Sequence, residues 1–476
     1  MANKLPRPRR QRGSLIMIFA ILLIAVIGFI GMALDLAQVF ARKTELQIIA
    51  DSAALAAAQE LNGSAAGVAS ALAAAKSSAA EPNAYQFRLQ GVILSDDAVK
   101  FSASADAPEG DWQSVVADPT QALFVKVDTA RNALPLGTVG MYFMGALSSS
   151  LARVQTSGRA VAGRSSIRLT PLAVCAMSPQ PLTARNNPGP PARTEAVEYG
   201  FRRGVGYNLL ALNPHGATPA NYLLNPIDPL DALGAAAHVT PAAAAPFVCS
   251  GSMPMVRIGH ARIHAHSPFP PDLLGALNSR FNQYGSGWCH PKSAPPDTNI
   301  RVFTGAGPNW WMNNAPAGPS AAPAGGTPLH TVADIEPPVP ASVSAASYGP
   351  LWSYARAAQY ASPRPAADFT AFPSSAWAQL YPGTPAAPVA NSNFLSSSPY
   401  SLYVTAPAGN PGLALRRVLF IPLLACPLPA ASDVLANVLA IGKFFMTAPA
   451  VPGMISAEFA GVVAEQAPGG PVELQQ

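Results

Sequence analysis

Residues 14–34 read SLIMIFAILLIAVIGFIGMAL, twenty-one positions without one charged side chain. As a helix they rise about 31 Å at roughly 1.5 Å per residue, against about 30 Å for the hydrocarbon core of a bilayer. Every face of that helix is apolar, which a helix on the surface of a soluble core is not. Lys4, Arg7, Arg9, Arg10 and Arg12 precede it with no acidic partner, whereas Asp35, Arg42, Lys43 and Glu45 follow it and nearly cancel. Basic flanks stay on the cytoplasmic side. The expectation is a single-pass helix, with residues 1–13 as a cytoplasmic tail and about 440 residues outside. A cleaved secretory signal shares the basic start, but its apolar core runs about 7–15 residues. This core is longer, and Asp35 breaks a small-x-small cleavage site, so an uncleaved anchor is expected.

Composition bounds the remainder. Apolar residues make up 49% of the chain, enough for true cores, while charged residues are 12%, about half the usual share. Proline, 50 of 476 residues, is concentrated after position 180 and favours strands and loops there over long helices. The net charge of +5 is matched by the five basic residues of the tail, so the exported part is close to neutral and carries no nucleic-acid footprint. The tail suits topology and anionic head groups instead. The four cysteines, Cys175, Cys249, Cys289 and Cys426, all follow the anchor. An even count in an oxidising compartment points to two disulfides, with three pairings open. No C-x-x-C occurs to support a zinc or redox motif.

Beyond the anchor, LDLAQVFARKTELQIIADSAALAAAQEL lacks proline and is rich in helix formers, so the helix should continue out of the membrane. Leu36, Phe40, Leu46, Ile49 and Ala53 form a rough apolar stripe, the expected face for a partner helix. Asn62, Gly63 and Ser64 break the helix before a second alanine-rich run at 65–80. A helix half in the membrane and half on a small sheet is a pilin-like design, although periodicity alone also fits a juxtamembrane stalk.

The same residues carry a resemblance. The basic tail, Arg-Gly-Ser, the span, Ala-Leu-Asp-Leu at its end and then T-E-L-Q-x-x-A-D-S-A-A-L-A at 44–56 resemble the start of the TadG-like and TadE-like proteins of bacterial Tad (Flp) pilus assembly. The likeness covers residues 10–61. It implies an inner-membrane protein of a pilus or secretion locus in a Gram-negative cell, with its bulk in the periplasm and other Tad proteins or pilins as partners. One departure matters. Pilins cut by a prepilin peptidase carry glycine before the span and glutamate five residues after the cut. Gly13 is in place, but the fifth following residue is Ile18, which favours an uncut anchor. Some TadG-like proteins hold a von Willebrand A domain with an Asp-x-Ser-x-Ser metal site. That motif does not occur here, and its nearest fragment, Asp51-Ser52, lies on the helix.

Downstream, YQFRLQGVIL, AVKFSASA and QALFVKVDTA alternate as strands do. MYFMGAL at 141–147 reads as a short amphipathic helix and RVQTSGRAVAG at 153–163 as a further strand. Residues 35–168 are therefore expected to be a pilin-like α+β module. IRLTPLAVCAM and, far later, LRRVLFIPLLACPLP share a form: a basic start, an apolar strand, then a cysteine. If the two lie side by side, Cys175 pairs with Cys426 and Cys249 with Cys289. Residues 169–467 read as a β-rich, loop-rich distal domain, and 468–476 as a frayed tail. Residues 303–413 are nearly chargeless yet hold eight recurring aromatics from Tyr348 to Tyr381, so they are expected to form an ordered, irregular coat with a mobile loop at 314–326.

His260, His264 and His266 fall on one expected strand and share a face, and three imidazoles can hold zinc. No acidic residue or fourth ligand stands at a usual spacing, so no metal is assigned. No G-x-S-x-G, H-E-x-x-H or P-loop occurs, and no catalytic residue or cofactor is assigned. The leading expectation is a non-enzymatic Tad component: a periplasmic tether, minor pilin-like factor or adhesin. The rivals are a membrane-anchored periplasmic hydrolase with its site among the histidines, and a carbohydrate-binding protein using Trp310, Trp311 and Trp352.

Overall fold

The computed structural model describes residues 13–61, 65–81, 91–133, 135–164, 168–225, 239–253, 262–303, 312, 318–323, 328–335, 343–365, 368–383, 404–463, 470 and 472–475. The chain forms two compact units, Met1–Arg164 with Val472–Gln476, and Ser165–Pro471.

In the first unit, α1 (Gly13–Glu60) is a single helix of 48 residues. The expected break at 62–64 lies outside the described residues, and α2 (Ala65–Ala80) follows. Gly67, Ala71, Ala75 and Ala79 repeat every fourth position of α2 and are all buried. They pack on α1, whose Ala50, Ala53, Ala54 and Ala57 are equally buried. Small side chains at i, i+4 let two helix backbones come close, which is why this part of the sequence is so rich in alanine. The strands β1 (Val99–Ser102) and β2 (Phe124–Asp128) are followed by a hairpin, β3 (Thr138–Gly140) and β4 (Arg153–Gln155), with the short helix α3 (Tyr142–Leu147) at its tip, and then β5 (Arg159–Arg164). The strands β1, β2 and β5 pair antiparallel and bury Val99, Phe101, Val125, Val127, Ala160 and Ala162 in one core with Leu46 and Ile49 of α1. A Cβ at Gly158 would lie 2.3 Å from the Leu46 backbone, so glycine is what lets the chain entering β5 approach the helix. Of the strand expected at 85–94, residues 85–90 lie outside the described residues and 91–94 carry no strand.

The second unit is mostly β. Its strands are β6 (Leu172–Cys175), a small antiparallel sheet of β7 (Thr183–Asn187), β8 (Arg193–Glu198) and β9 (Phe201–Arg202), then β10 (Gly206–Asn208) and β11 (Asn221–Leu224). The helix α4 (Pro241–Ser250) starts on the Thr240 hydroxyl, which accepts the Ala243 N–H, and ends on Gly251 in the left-handed region. It is followed by β12 (Arg262–His266), β13 (Val418–Leu424), β14 (Asp433–Met446) and β15 (Ser456–Val463). Strands β14, β12, β11, β6 and β13 form a closed circuit, because β13 pairs with β6 on one side and with β14 on the other. Alternation sorts their side chains. Ala173, Cys175, Tyr222, Leu224, Ile263, Ala265, Leu424, Val434 and Ala436 gather in one cluster, while Leu172, Val174, Leu223, Leu419, Ile421 and Leu423 face a larger core.

Two expectations are corrected. Tyr348, Trp352, Phe372, Trp377 and Tyr381 do not coat the distal unit but are buried in that larger core, held by irregular backbone. The C-terminal tail is not frayed throughout: β16 (Val472–Gln475) pairs antiparallel with β5 and joins the first unit's sheet. The open edge of β5 offers unpaired backbone groups, and β16 covers them. The chain is thus a long apolar N-terminal helix followed by mixed α+β, mostly β-sheet units.

Candidate functional site

The sharpest local geometry in the first unit lies where the apolar run of α1 ends. Asp35 is fully buried. Its Oδ1 accepts the backbone N–H of Tyr142 at 2.9 Å, and its Oδ2 those of Phe143 at 2.8 Å and Met144 at 2.7 Å. These are the first N–H groups of α3, which have no partner within a helix. The N-cap residue of α3, Met141, has no side-chain acceptor, so α1 supplies the cap from another element. One turn earlier, a Cβ at Gly31 would fall 2.3 Å from the Phe143 ring. About two turns beyond Asp35, Arg42 donates to the Leu136 carbonyl from Nε at 2.9 Å and Nη2 at 2.6 Å. Gly31, Asp35 and Arg42 follow a helical spacing, so one face of α1 grips the segment around α3. Sequence reasoning missed Asp35. Its signal was a lone carboxylate directly after an uncharged span, a position costly to keep unless the charge has partners.

The stripe expected to meet a partner helix is corrected. Leu46, Ile49 and Ala53 are completely buried inside the chain's own first unit, between the sheet and α2. Periodicity identifies a covered face without saying what covers it. Leu36 and Phe40, in contrast, are 52% and 58% exposed.

In the second unit, Cys175 is joined to Cys426 and Cys249 to Cys289, each pair with Cα atoms 5.6 Å apart. The first bond ties the end of β6 to the residues after β13, and the second ties α4 to the loop after residue 281. His264 and His266 stand on β12, two residues apart on one face. His260 lies outside the described residues. His266 Nδ1 lies 2.9 Å from Asp433 Oδ1, while the Ser432 hydroxyl contacts Asp433 Oδ2 at 3.2 Å. The serine therefore contacts the carboxylate and not the imidazole, so these three residues do not form a nucleophile activated by a base. Among the described residues no group of three His, Cys, Asp or Glu is placed to hold a metal. Of the three tryptophans expected on an aromatic shelf, Trp352 is buried, donating Nε1–H to the Tyr381 hydroxyl at 2.8 Å with its ring edge-on to Trp377 at 4.9 Å. Trp310 and Trp311 lie outside the described residues.

Several other ionic groups of this unit are held by backbone groups. The guanidinium of Arg417 is buried 4.4 Å from the Phe445 ring and 4.5 Å from that of Phe281, and donates to the carbonyls of Met446 and Asn299. Glu458 has no cation within contact among the described residues. Its carboxylate instead accepts the consecutive backbone N–H groups of Ser353, Tyr354 and Ala355 at 2.6, 2.9 and 2.7 Å. Burial pushes the Glu458 carboxyl up to about 7, against the downward pull of those three N–H groups. A cavity of about 520 Å³ is lined by Arg168, Arg280, Arg416 and Lys443, with no carboxylate or imidazole among its described lining. Arg280 and Arg416 donate there to the last carbonyls of α4, those of Val248, Cys249 and Ser250. Such a site can hold a helix end.

Residues 13–60 match the family described as Flp pilus-assembly TadE/G-like. The matched segment coincides with α1. No curated protein and no solved structure shows significant similarity to the chain.

Proposed function

We propose that this chain, which carries a TadE/G-like pilus-assembly segment at 13–60, is a membrane-anchored, non-enzymatic component of a Tad (Flp)-type pilus machine. Residues 14–34 cross the inner membrane, the basic tail stays in the cytoplasm, and the two units stand in the periplasm as a tether for other Tad proteins or pilins. The observation that carries this reading is the coincidence of the family match with a helix that is both long and apolar enough to cross a membrane. The two disulfides support an oxidising compartment for the second unit. Within the expected stripe, the exposed Leu36 and Phe40 are the residues left for a partner helix.

The test is deletion of the gene in its own cell, followed by complementation. Loss of surface pili, restored by the full chain and not by a chain lacking 14–34, is the expected outcome. Normal piliation without the gene overturns the proposal. Replacing His264 and His266 together by alanine should leave assembly intact. Loss of assembly from that change alone, with protein levels unchanged, would favour a hydrolase.

A further inference from the structure

We propose that α3 and the turn after it form an interfacial collar, lying in the head-group and upper acyl layer of the bilayer beside α1 with Tyr142, Leu147 and Leu151 against lipid. The inference rests on the reading that residues 14–34 span the membrane. Depth is then transferred by contact. Phe143 packs on Gly31, and Gly31 belongs to the uncharged run, so α3 is held at the level of the last turn of the span. The cap made by Asp35 keeps α3 at that level.

Three further observations agree. Tyr142 and Leu147 are 76% and 74% exposed, and Phe143 and Leu151 are also exposed. Single exposed apolar side chains are ordinary, but four within ten residues of one segment form a patch. Phe29, Ile30 and Leu34, within one turn of Gly31 on α1, are exposed as well. The segment also holds no charge, since no Asp, Glu, Lys or Arg occurs between Arg131 and Arg153. Finally, the backbone is prepared for low polarity. Asp35 receives three N–H groups of α3, so a carboxylate and a helix end that would each be costly near hydrocarbon satisfy one another. A Tyr at the head of the segment matches the aromatic preference of the membrane interface.

The test uses the full chain in vesicles of phosphatidylcholine with a minority of phosphatidylglycerol. Its four cysteines are paired, so single nitroxide labels can be placed at Leu147→Cys, Tyr142→Cys, Ile30→Cys and, as a water-exposed control in the same unit, Val115→Cys. Val115 is 84% exposed, and all four positions are on the surface, so the variants should fold. Labels at 147 and 142 are expected to favour collisions with oxygen over a water-soluble nickel complex, as the label at 30 does, with the reverse ratio at 115. If 30 reads as lipid while 147 and 142 read as water, the collar is overturned and the span stands. If 30 itself reads as water, the span fails and the collar with it. Labels at 147 and 142 shielded from both reagents would overturn lipid as the occupant in favour of a protein partner.

Discussion

Asp35 Oδ2 accepts the backbone N–H of Met144 at 2.7 Å, a bond between residues 109 positions apart in the chain. It joins the end of the apolar span to the start of a helix of six residues, too short to be stable alone. A negative charge at a helix N-terminus is favourable, and more so when buried.

Replacing Asp35 by Asn should therefore loosen α3 while leaving the sheet intact. Asparagine keeps one oxygen, and its amide sets donors against the remaining N–H groups. Leaving one or two buried donors unsatisfied costs about 1–3 kcal/mol each. The expected readout is a roughly tenfold or greater loss of hydrogen-exchange protection in peptides covering 141–148, with β2 and β5 unchanged. Equal protection in both proteins would mean that Asp35 does not hold α3.

Gly31 and Phe143 should be energetically coupled. A Cβ at 31 would sit 2.3 Å from Cδ1 and 2.9 Å from Cβ of Phe143, so the ring cannot escape by moving its tip alone. Gly31→Leu should displace α3 and lower the melting temperature of the first unit. Adding Phe143→Ala should recover part of the loss, with a coupling energy of about 1 kcal/mol or more in a double-mutant cycle. Additive effects would show that the two residues do not touch in solution.

How far the sequence reveals this architecture depends on whether a signal is local. The length and apolarity of α1, and the pattern at 44–56, are contained within the helix itself, and the long-helix-then-α+β order is legible from them. The partner of Asp35 is not, because it lies over a hundred residues away. Leu46, Ile49 and Ala53 repeat at helical spacing, but spacing gives no clue that β2, β5 and α2 cover them. The burial of Trp352 and Tyr381 is hidden because irregular backbone has no period to read. The edge strand Val472–Gln475 is invisible for a similar reason: four residues specify a strand only once β5 offers its edge.

Both disulfides should be complete in protein recovered from an oxidising compartment, with no thiol alkylated after unfolding without reductant. The Cys249–Cys289 bond closes a separation of 40 residues. Replacing both cysteines by alanine should destabilise the second unit by about 4 kcal/mol if chain entropy dominates. Alkylation at any of the four positions in the native, unreduced chain would contradict the assigned pairs.

Arg417 should not tolerate lysine. The planar guanidinium lies between the rings of Phe281 and Phe445 and donates to two carbonyls from different segments. An ammonium cannot stack in that slot or bridge the same acceptors. Arg417→Lys should lower the denaturant midpoint by the equivalent of about 3 kcal/mol, with an unchanged slope. An unaltered midpoint would show that the cage contributes nothing specific.

Glu458 gives the second unit a pH dependence whose sign runs against the usual carboxylate. Burial raises its folded pKa from 4.5 to about 7. Between those values the folded chain holds a proton that the unfolded chain has lost, so stability falls as pH rises from about 4.5 to 7 and is flat beyond. The full span is on the order of 3 kcal/mol at about 1.4 kcal/mol per unit. Buried Asp334 is raised by burial as well and adds to the same slope. Glu458→Gln removes one titrating group while leaving Asp334, so the variant should show a shallower decline over this range. The amide also sets a donor against one of the three N–H groups at 353–355, so the variant should be less stable than the parent near pH 5. Tryptophan fluorescence during urea unfolding is a suitable probe, since Trp352 and Trp377 are buried in this unit. A decline of equal steepness in parent and variant would remove Glu458 as its source.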